Sequence, residues 1–275
     1  MQMKNYRLAA LDMDGTLLNS DHIVSPYSRE VLARADAAGK IIALATGRCL
    51  SELTYVISDI PSIRYIICEN GANIHDTRLG RSIRRISIAP DDVEFLISEL
   101  EKRTVVAQMF IEDQSYIRAP KNIDLNPYRL EYFRPVFEEG SVFRSDVFDF
   151  WRKDRPPVDK IDLYFVSEAD RAEFRAVAAQ RNIEIAGSIG IGLELSPLNA
   201  NKADGLTGLC RILGIPAEET IAVGDADNDM GILRAAGLSV AMGNALPEVK
   251  TIADVITDDC DHDGAAKALE KYLMI

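Results

Sequence analysis

Three runs near the start of the chain, RLAALD, KIIALAT and YIICE, are apolar without any polar alternation. A strand with one wet face alternates polar and apolar residues. An unbroken apolar run therefore marks a strand covered on both faces, as in a parallel sheet under helices. Helical stretches lie between the runs. Ser25 and Pro26 supply an N-cap and an N1 proline, Tyr27, Val31, Ala35 and Ala38 recur on one face, and Gly39 sits at C′. LSELTYVISDI reads as a second helix. From about residue 198 the alternation resumes. A helix over 202–213 is stopped by Gly214, and the strand TIAVGD leads to a helix reaching Ala236 and ended by Gly237. LSVAMG, a short helix, VITD and a terminal helix follow.

The middle of the chain has another character. Asp91 and Asp92 read as caps of a helix running to about Arg103, and TVVAQMFIE and QSYIRA as neighbouring strands. VDKIDLYFV is a strand, 168–181 a helix, and NIEIAG with IGLELS an antiparallel pair. Residues 121–157 are aromatic, polar and proline-bearing and yield no assignment. At 275 residues the chain exceeds the ~100–150 of a typical domain. The expected organisation is an α/β core with a parallel sheet, built from 1–84 and 198–275, and an α+β domain inserted at 85–197. Its connections near 80–86 and 196–200 suit hinges at Gly80 and at Pro197–Asn199.

Composition excludes several classes. The formal net charge of −12 argues against a general nucleic-acid surface, which needs clustered Lys and Arg. The nearest basic cluster, Arg78, Arg81, Arg84 and Arg85, reads as a solvated hairpin face, the alternative being a surface that meets an anionic substrate. No apolar run approaches the ~18–20 residues of a membrane helix. Lys4, Arg7 and Asp12 come too early for a signal-peptide core. Cys49, Cys68, Cys210 and Cys260 form no C-x-x-C pair, which speaks against a disulfide framework or zinc site. A cytoplasmic protein with reduced thiols is expected.

Four short stretches carry chemistry. Asp12 and Asp14 are two apart at the end of a buried strand, where open parallel sheets bind ligands. Two such carboxylates repel and desolvate each other, so a divalent metal or a shared proton must offset them. A second acidic cluster, Gly224–Asp225–Ala226–Asp227–Asn228–Asp229, follows the apolar TIAV. It is no EF-hand, because Met230 and Ala236 stand where that loop needs Gly and Glu. Thr46, Gly47 and Arg48 end the second strand with a hydroxyl and amides that can cradle an oxyanion. Lys202 opens a helix although a cation there opposes the macrodipole. Two acids, a hydroxyl turn, a cation and an acidic loop together fit phosphoryl transfer.

At this point DMDGTLL (12–18), TGR (46–48), NK (201–202) and GDADND (224–229) resemble the four signatures of the haloacid dehalogenase superfamily. ENGANI, LELSP, VAMGNA and DHDGAA resemble stretches of its Cof-type subgroup, whose type IIB cap matches the insertion in layout. The resemblance implies a Rossmann-like core and a Mg²⁺-dependent phosphatase acting on a small phosphate ester. Asp12 would be the nucleophile forming an aspartyl-phosphate, and Asp14 the general acid. Thr46, Gly47, Lys202 and Asn228 would hold phosphate oxygens. Asp12, Asp14 through its main-chain carbonyl, and Asp225 would hold Mg²⁺. Asp229 and Arg48 would support them. Cys49 departs from the proline common after TGR, which touches only the stiffness of the turn. A phosphomutase or a dedicated sugar-phosphate phosphatase is the nearest alternative. A receiver-like signalling module, also built around a phospho-Asp, is about half this length and carries no inserted domain.

Overall fold

The computed structural model describes residues 5–274. It divides into two compact units. The first gathers the chain up to Gly47, Tyr55–Arg84 and Asn201 onward; the second gathers Arg48–Thr54 and Arg85–Ala200.

The first unit begins with β1 (Leu8–Leu11), β2 (Ile41–Ala45), β3 (Ile63–Cys68), β4 (Asn73–Asp76) and β5 (Arg81–Arg85). The inserted stretch then supplies β6 (Val105–Ile111), β7 (Gln114–Ile117), β8 (Ser141–Phe143), β9 (Val158–Phe165), β10 (Ile183–Ser188) and β11 (Gly192–Pro197). The chain returns to the first unit with β12 (Thr220–Gly224), β13 (Leu238–Ala241) and β14 (Val255–Ile256).

The sheet of the first unit runs β14-β13-β12-β1-β2-β3-β4-β5. Pairing is parallel from β14 to β3, and β4 turns back antiparallel on β3. Leu8, Ala9, Ala10 and Leu11 are all buried, as the unbroken apolar run requires. Register places Leu11 opposite Val223 on one side and Leu44 on the other. The loops after β1, β2 and β12 thus leave along one edge of the sheet. The first long helix is Pro26–Ala37, capped by Ser25, whose hydroxyl accepts the Ser28 N–H, and followed by Gly39 at φ +78°.

LSELTYVISDI is not one helix. It breaks into a 3₁₀ turn, Leu50–Glu52, and a single helical turn, Thr54–Ile57. Glu52 folds back to accept the Cys49 N–H, and β-branched Thr54, Val56 and Ile57 favour no extension. The helix expected to be capped by Asp91 and Asp92 is Pro90–Leu100, with Ala89 at the N-cap and both acids inside the first turn. Proline holds the residue before it in extended backbone, here ψ 136°, so Pro90 sets the start. The basic residues at 78–85 lie on the β4–β5 connection and on β5, with Arg78 and Arg81 exposed. Arg78 pairs with Asp36 at 2.7 Å, and Arg84 donates to the Gly71 carbonyl.

The sheet of the second unit runs β10-β11-β9-β6-β7-β8, antiparallel except where β8 joins β7. One face carries Ala107, Met109, Ile161, Leu163, Leu193 and Leu195, which pack with Leu96, Trp151 and Phe174. On the neighbouring positions of β9 lie Lys160, Asp162 and Tyr164, all buried, with Lys160 Nζ 2.8 Å from Asp162 Oδ2. Burial pushes the Asp162 carboxyl up to about 8, against the pull of Lys160. Residues 121–157 order themselves as 3₁₀ turns at Asn126–Tyr128 and Glu131–Phe133, helices Arg134–Gly140 and Val147–Asp154, and β8. Tyr128, Phe137, Phe148 and Trp151 anchor them by burial. No described helix is long and apolar enough to cross a membrane.

Candidate active site

Asp12 lies one residue beyond β1, 8% exposed, its N–H donated to the Val223 carbonyl at 2.9 Å. The chain then tightens, with the Met13 carbonyl accepting the N–H groups of Thr16, Leu17 and Leu18. Gly15 makes this turn possible. Its φ is +76°, and a Cβ there would lie 2.7 Å from Asp225 Oδ2. Thr16 Oγ1 donates to Asp225 Oδ1 at 2.9 Å. Asn244 closes the turn from another side, donating to the Gly15 carbonyl at 2.8 Å and accepting the Cys260 N–H. Asp14 sits exposed within the turn.

The acidic loop after β12 is organised by Asp229, which is fully buried. Its Oδ2 accepts the N–H groups of Asp225 and Ala226 at 3.0 and 3.1 Å, and its Oδ1 lies 2.7 Å from Lys202 Nζ. Gly224 leaves room for it, since a Cβ there would come within 2.5 Å of Asp229 Cγ. Lys202 is the first residue of the helix Lys202–Leu213, behind the Asn201 N-cap. Its ammonium also meets Asp12 Oδ1 at 2.6 Å. The unfavourable dipole position is offset by two carboxylates.

Asp12, Asp225 and Asp229 each offer an oxygen, and these atoms lie within 4.8 Å of one another. Burial pushes the Asp12 carboxyl up to about 8, with Lys202 opposing the rise and Asp229 and Asp225 adding to it. Asp225 is also raised, chiefly by burial and against its bond from Thr16. Burial alone would lower the Lys202 ammonium, but Asp12 and Asp229 hold it above the usual lysine range. Ionised, the three carboxyls around one ammonium would carry surplus negative charge, and a hard divalent cation is the species that offsets it on such oxygens.

Thr46 follows β2, which neighbours β1. It is buried; its N–H goes to the Ile67 carbonyl at 2.9 Å and its carbonyl accepts the Asn70 N–H at 3.0 Å. A Cβ on Gly47 would stand 3.1 Å from Asn70 Oδ1. Arg48 is half-buried, and Asn228 is exposed on the 3₁₀ turn Asp227–Asp229. The contacts thus join Asp12, Lys202, Asp225 and Asp229 directly. Thr46, Gly47, Arg48, Asn228 and Asp14 stand on the loops at the strand ends. Thr16 reads from sequence only as part of the turn after Asp14, and Asn70 and Asn244 carry no signal of their own. Their signal was adjacency, since each lies inside a stretch that carries the resemblance.

Residues 9–269 match the haloacid dehalogenase-like hydrolase family. Phosphatase YwpJ of Bacillus subtilis (strain 168) is 31% identical, over 97% of this chain and 100% of that protein. The 5-amino-6-(5-phospho-D-ribitylamino)uracil phosphatase YcsE of the same organism is 27% identical, over 98% and 96%. The crystal structure of a haloacid dehalogenase-like hydrolase from Bacteroides thetaiotaomicron superposes with a TM-score of 0.85 at 27% identity, over 97% and 99%. The chain belongs to the haloacid dehalogenase-like hydrolases. Within that family it is a phosphatase.

Proposed function

We propose that the protein is a Mg²⁺-dependent phosphatase of small phosphorylated metabolites, working through an aspartyl-phosphate on Asp12. The observation that carries this reading is the buried Asp12 carboxylate held at 2.6 Å by Lys202 beside Asp225 and Asp229. The donor set suits Mg²⁺, with Asp12, Asp225 and the Asp14 carbonyl as its holders. When bound, the ion would neutralise phosphate charge; like charges at 4 Å and an effective dielectric of 20 repel by about 4 kcal/mol per unit pair.

The residues divide the work. Thr46, Gly47, Lys202 and Asn228 bind phosphate oxygens, and Arg48 supports that turn. Asp229 holds the Lys202 ammonium in place. An Asp12 oxygen bonds to phosphorus as the ester P–O bond breaks, and Asp14 gives its proton to the departing alcohol. Asp14 then takes a proton from water, whose oxygen attacks phosphorus and frees Asp12 with release of inorganic phosphate. The exposed place of Asp14 suits exchange with water and leaving group. The substrate named for YcsE, a phosphomonoester on a ribityl chain, supports the small-metabolite class. Phosphate release from p-nitrophenyl phosphate tests the reading. Activity should vanish with EDTA and return with Mg²⁺, and full activity in metal-free buffer would end it.

A further inference from the structure

The residues after the TGR turn do not stay with the unit that carries it. The division between units falls between Gly47 and Arg48, so Arg48–Thr54 belongs with residues 85–200. Ser51 and Glu52 tie this segment down. The Ser51 N–H goes to the Asp113 carbonyl, and its hydroxyl donates to the Gly140 carbonyl at 2.7 Å and accepts the Ser115 N–H at 3.1 Å. Gly140 leaves the space, because a Cβ there would lie 2.7 Å from Glu52 Cα.

Glu52 is 5% exposed, an unusual place for a carboxylate. One oxygen, Oε2, accepts the Cys49 N–H at 3.0 Å. The other, Oε1, accepts from Gln108 Nε2 at 2.7 Å. Gln108 is itself locked, donating to Ser115 Oγ and accepting from the Tyr164 hydroxyl. The carboxylate therefore fastens the backbone two residues past Gly47 to β6 and, through it, to β7 and β9. On the other side of the turn, Thr46 is fastened by Ile67 and Asn70. Gly47 and Arg48 are the residues between the two anchors.

We infer that Glu52 is a positioning residue for phosphate binding, setting through the Cys49 amide the backbone of the turn that begins at Thr46. The inference rests on the reading of Thr46 and Gly47 as phosphate binders. The bond to the Cys49 N–H closes a capping box on the 3₁₀ turn Leu50–Glu52, and the bond from Gln108 is what ties that cap to β6.

The test compares Glu52→Ala and Glu52→Gln with the parent, using inorganic phosphate as a competitive inhibitor of p-nitrophenyl phosphate hydrolysis. Glu52→Ala loses both bonds and should raise the phosphate Ki about 10-fold or more, the scale of a buried charged hydrogen bond. Glu52→Gln cannot accept at both oxygens and should raise Ki about 3-fold, with a folded circular-dichroism spectrum. A merely structural role would lower Tm and leave Ki of the folded enzyme alone. Folded variants with Ki within about 2-fold of the parent overturn the inference, and if the alanine variant does not fold, the glutamine variant decides by the same measure. A parent that neither hydrolyses the ester nor is inhibited by phosphate would overturn the phosphatase reading instead.

Discussion

Asp12 and Asp14, two residues apart, occupy opposite environments: one buried against Lys202, the other exposed. Asp12→Asn should abolish turnover in a folded protein, because an amide cannot attack phosphorus; rates within about 10-fold of the parent would reject that role. Asp14→Asn should cost about 10²–10⁴-fold in kcat, the scale of general acid–base catalysis. Gly15→Ala forces a methyl group toward Asp225 Oδ2 at positive φ. It should raise the Mg²⁺ concentration for half-maximal activity about 10-fold, a shift of about 1.4 kcal/mol; an unchanged value would remove Asp225 from the metal site. Asp162 offers a test away from this chemistry. Its folded carboxyl lies near 8 against an ordinary 3.8, so between those values the folded state binds the extra proton and stability falls as pH rises. Asp162→Asn should lessen that fall of urea-midpoint stability without removing it, since the Asp12 carboxyl is raised too, and an unaltered slope would refute the assignment. At this scale the sequence was legible where a charged residue follows a buried strand. It was silent on Glu52, whose burial depends on Gln108 and Gly140, far along the chain.

The helix Lys202–Leu213 places its first residue by packing as well as by capping. A Cβ on Gly205 would sit 2.3 Å from Ile67 Cγ2 and 3.1 Å from Gly71 Cα, so the helix start rests directly on the end of β3. Gly205→Ala should overpack this contact by about 1–3 kcal/mol, lowering Tm. It should also lower kcat, because Lys202 moves with its helix; a Tm loss with unchanged kcat would separate packing from lysine placement. The parallel strands of the first unit could be read in advance because strands buried on both faces leave no polar position to confuse the period, whereas antiparallel β4 gave no such run. The helix Lys202–Leu213 ended at Gly214 as its glycine signal said, with φ +63° there. Residues 121–157 gave no such signal. Their order comes from single aromatic side chains, such as Trp151 donating to the Pro156 carbonyl, with no repeat along the sequence.

Across the whole molecule, the chain passes between its two units four times, after Gly47, Thr54, Arg84 and Ala200. Two passages were expected, near 80–86 and 196–200; the pair around Arg48–Thr54 was not. If, as proposed, the core motifs meet only the phosphoryl group, the second unit should choose among leaving groups. Replacing 48–54 and 85–200 together with those of a relative should transfer the rank order of kcat/KM over a phosphometabolite panel while Mg²⁺ dependence stays. A folded chimera keeping the original order would place specificity in the first unit. The interleaving also orders events during synthesis. Every strand of the second unit, and the Ser51–Glu52 strap it needs, has been made by the time Ala200 is added, so that unit can close while translation continues. The first unit cannot, because β1 waits for β12 to cover its other edge. Asp12 precedes that unit along the chain and its partners Lys202 and Asp229 follow it, so the contacts of Asp12 can form only after the second unit has been made.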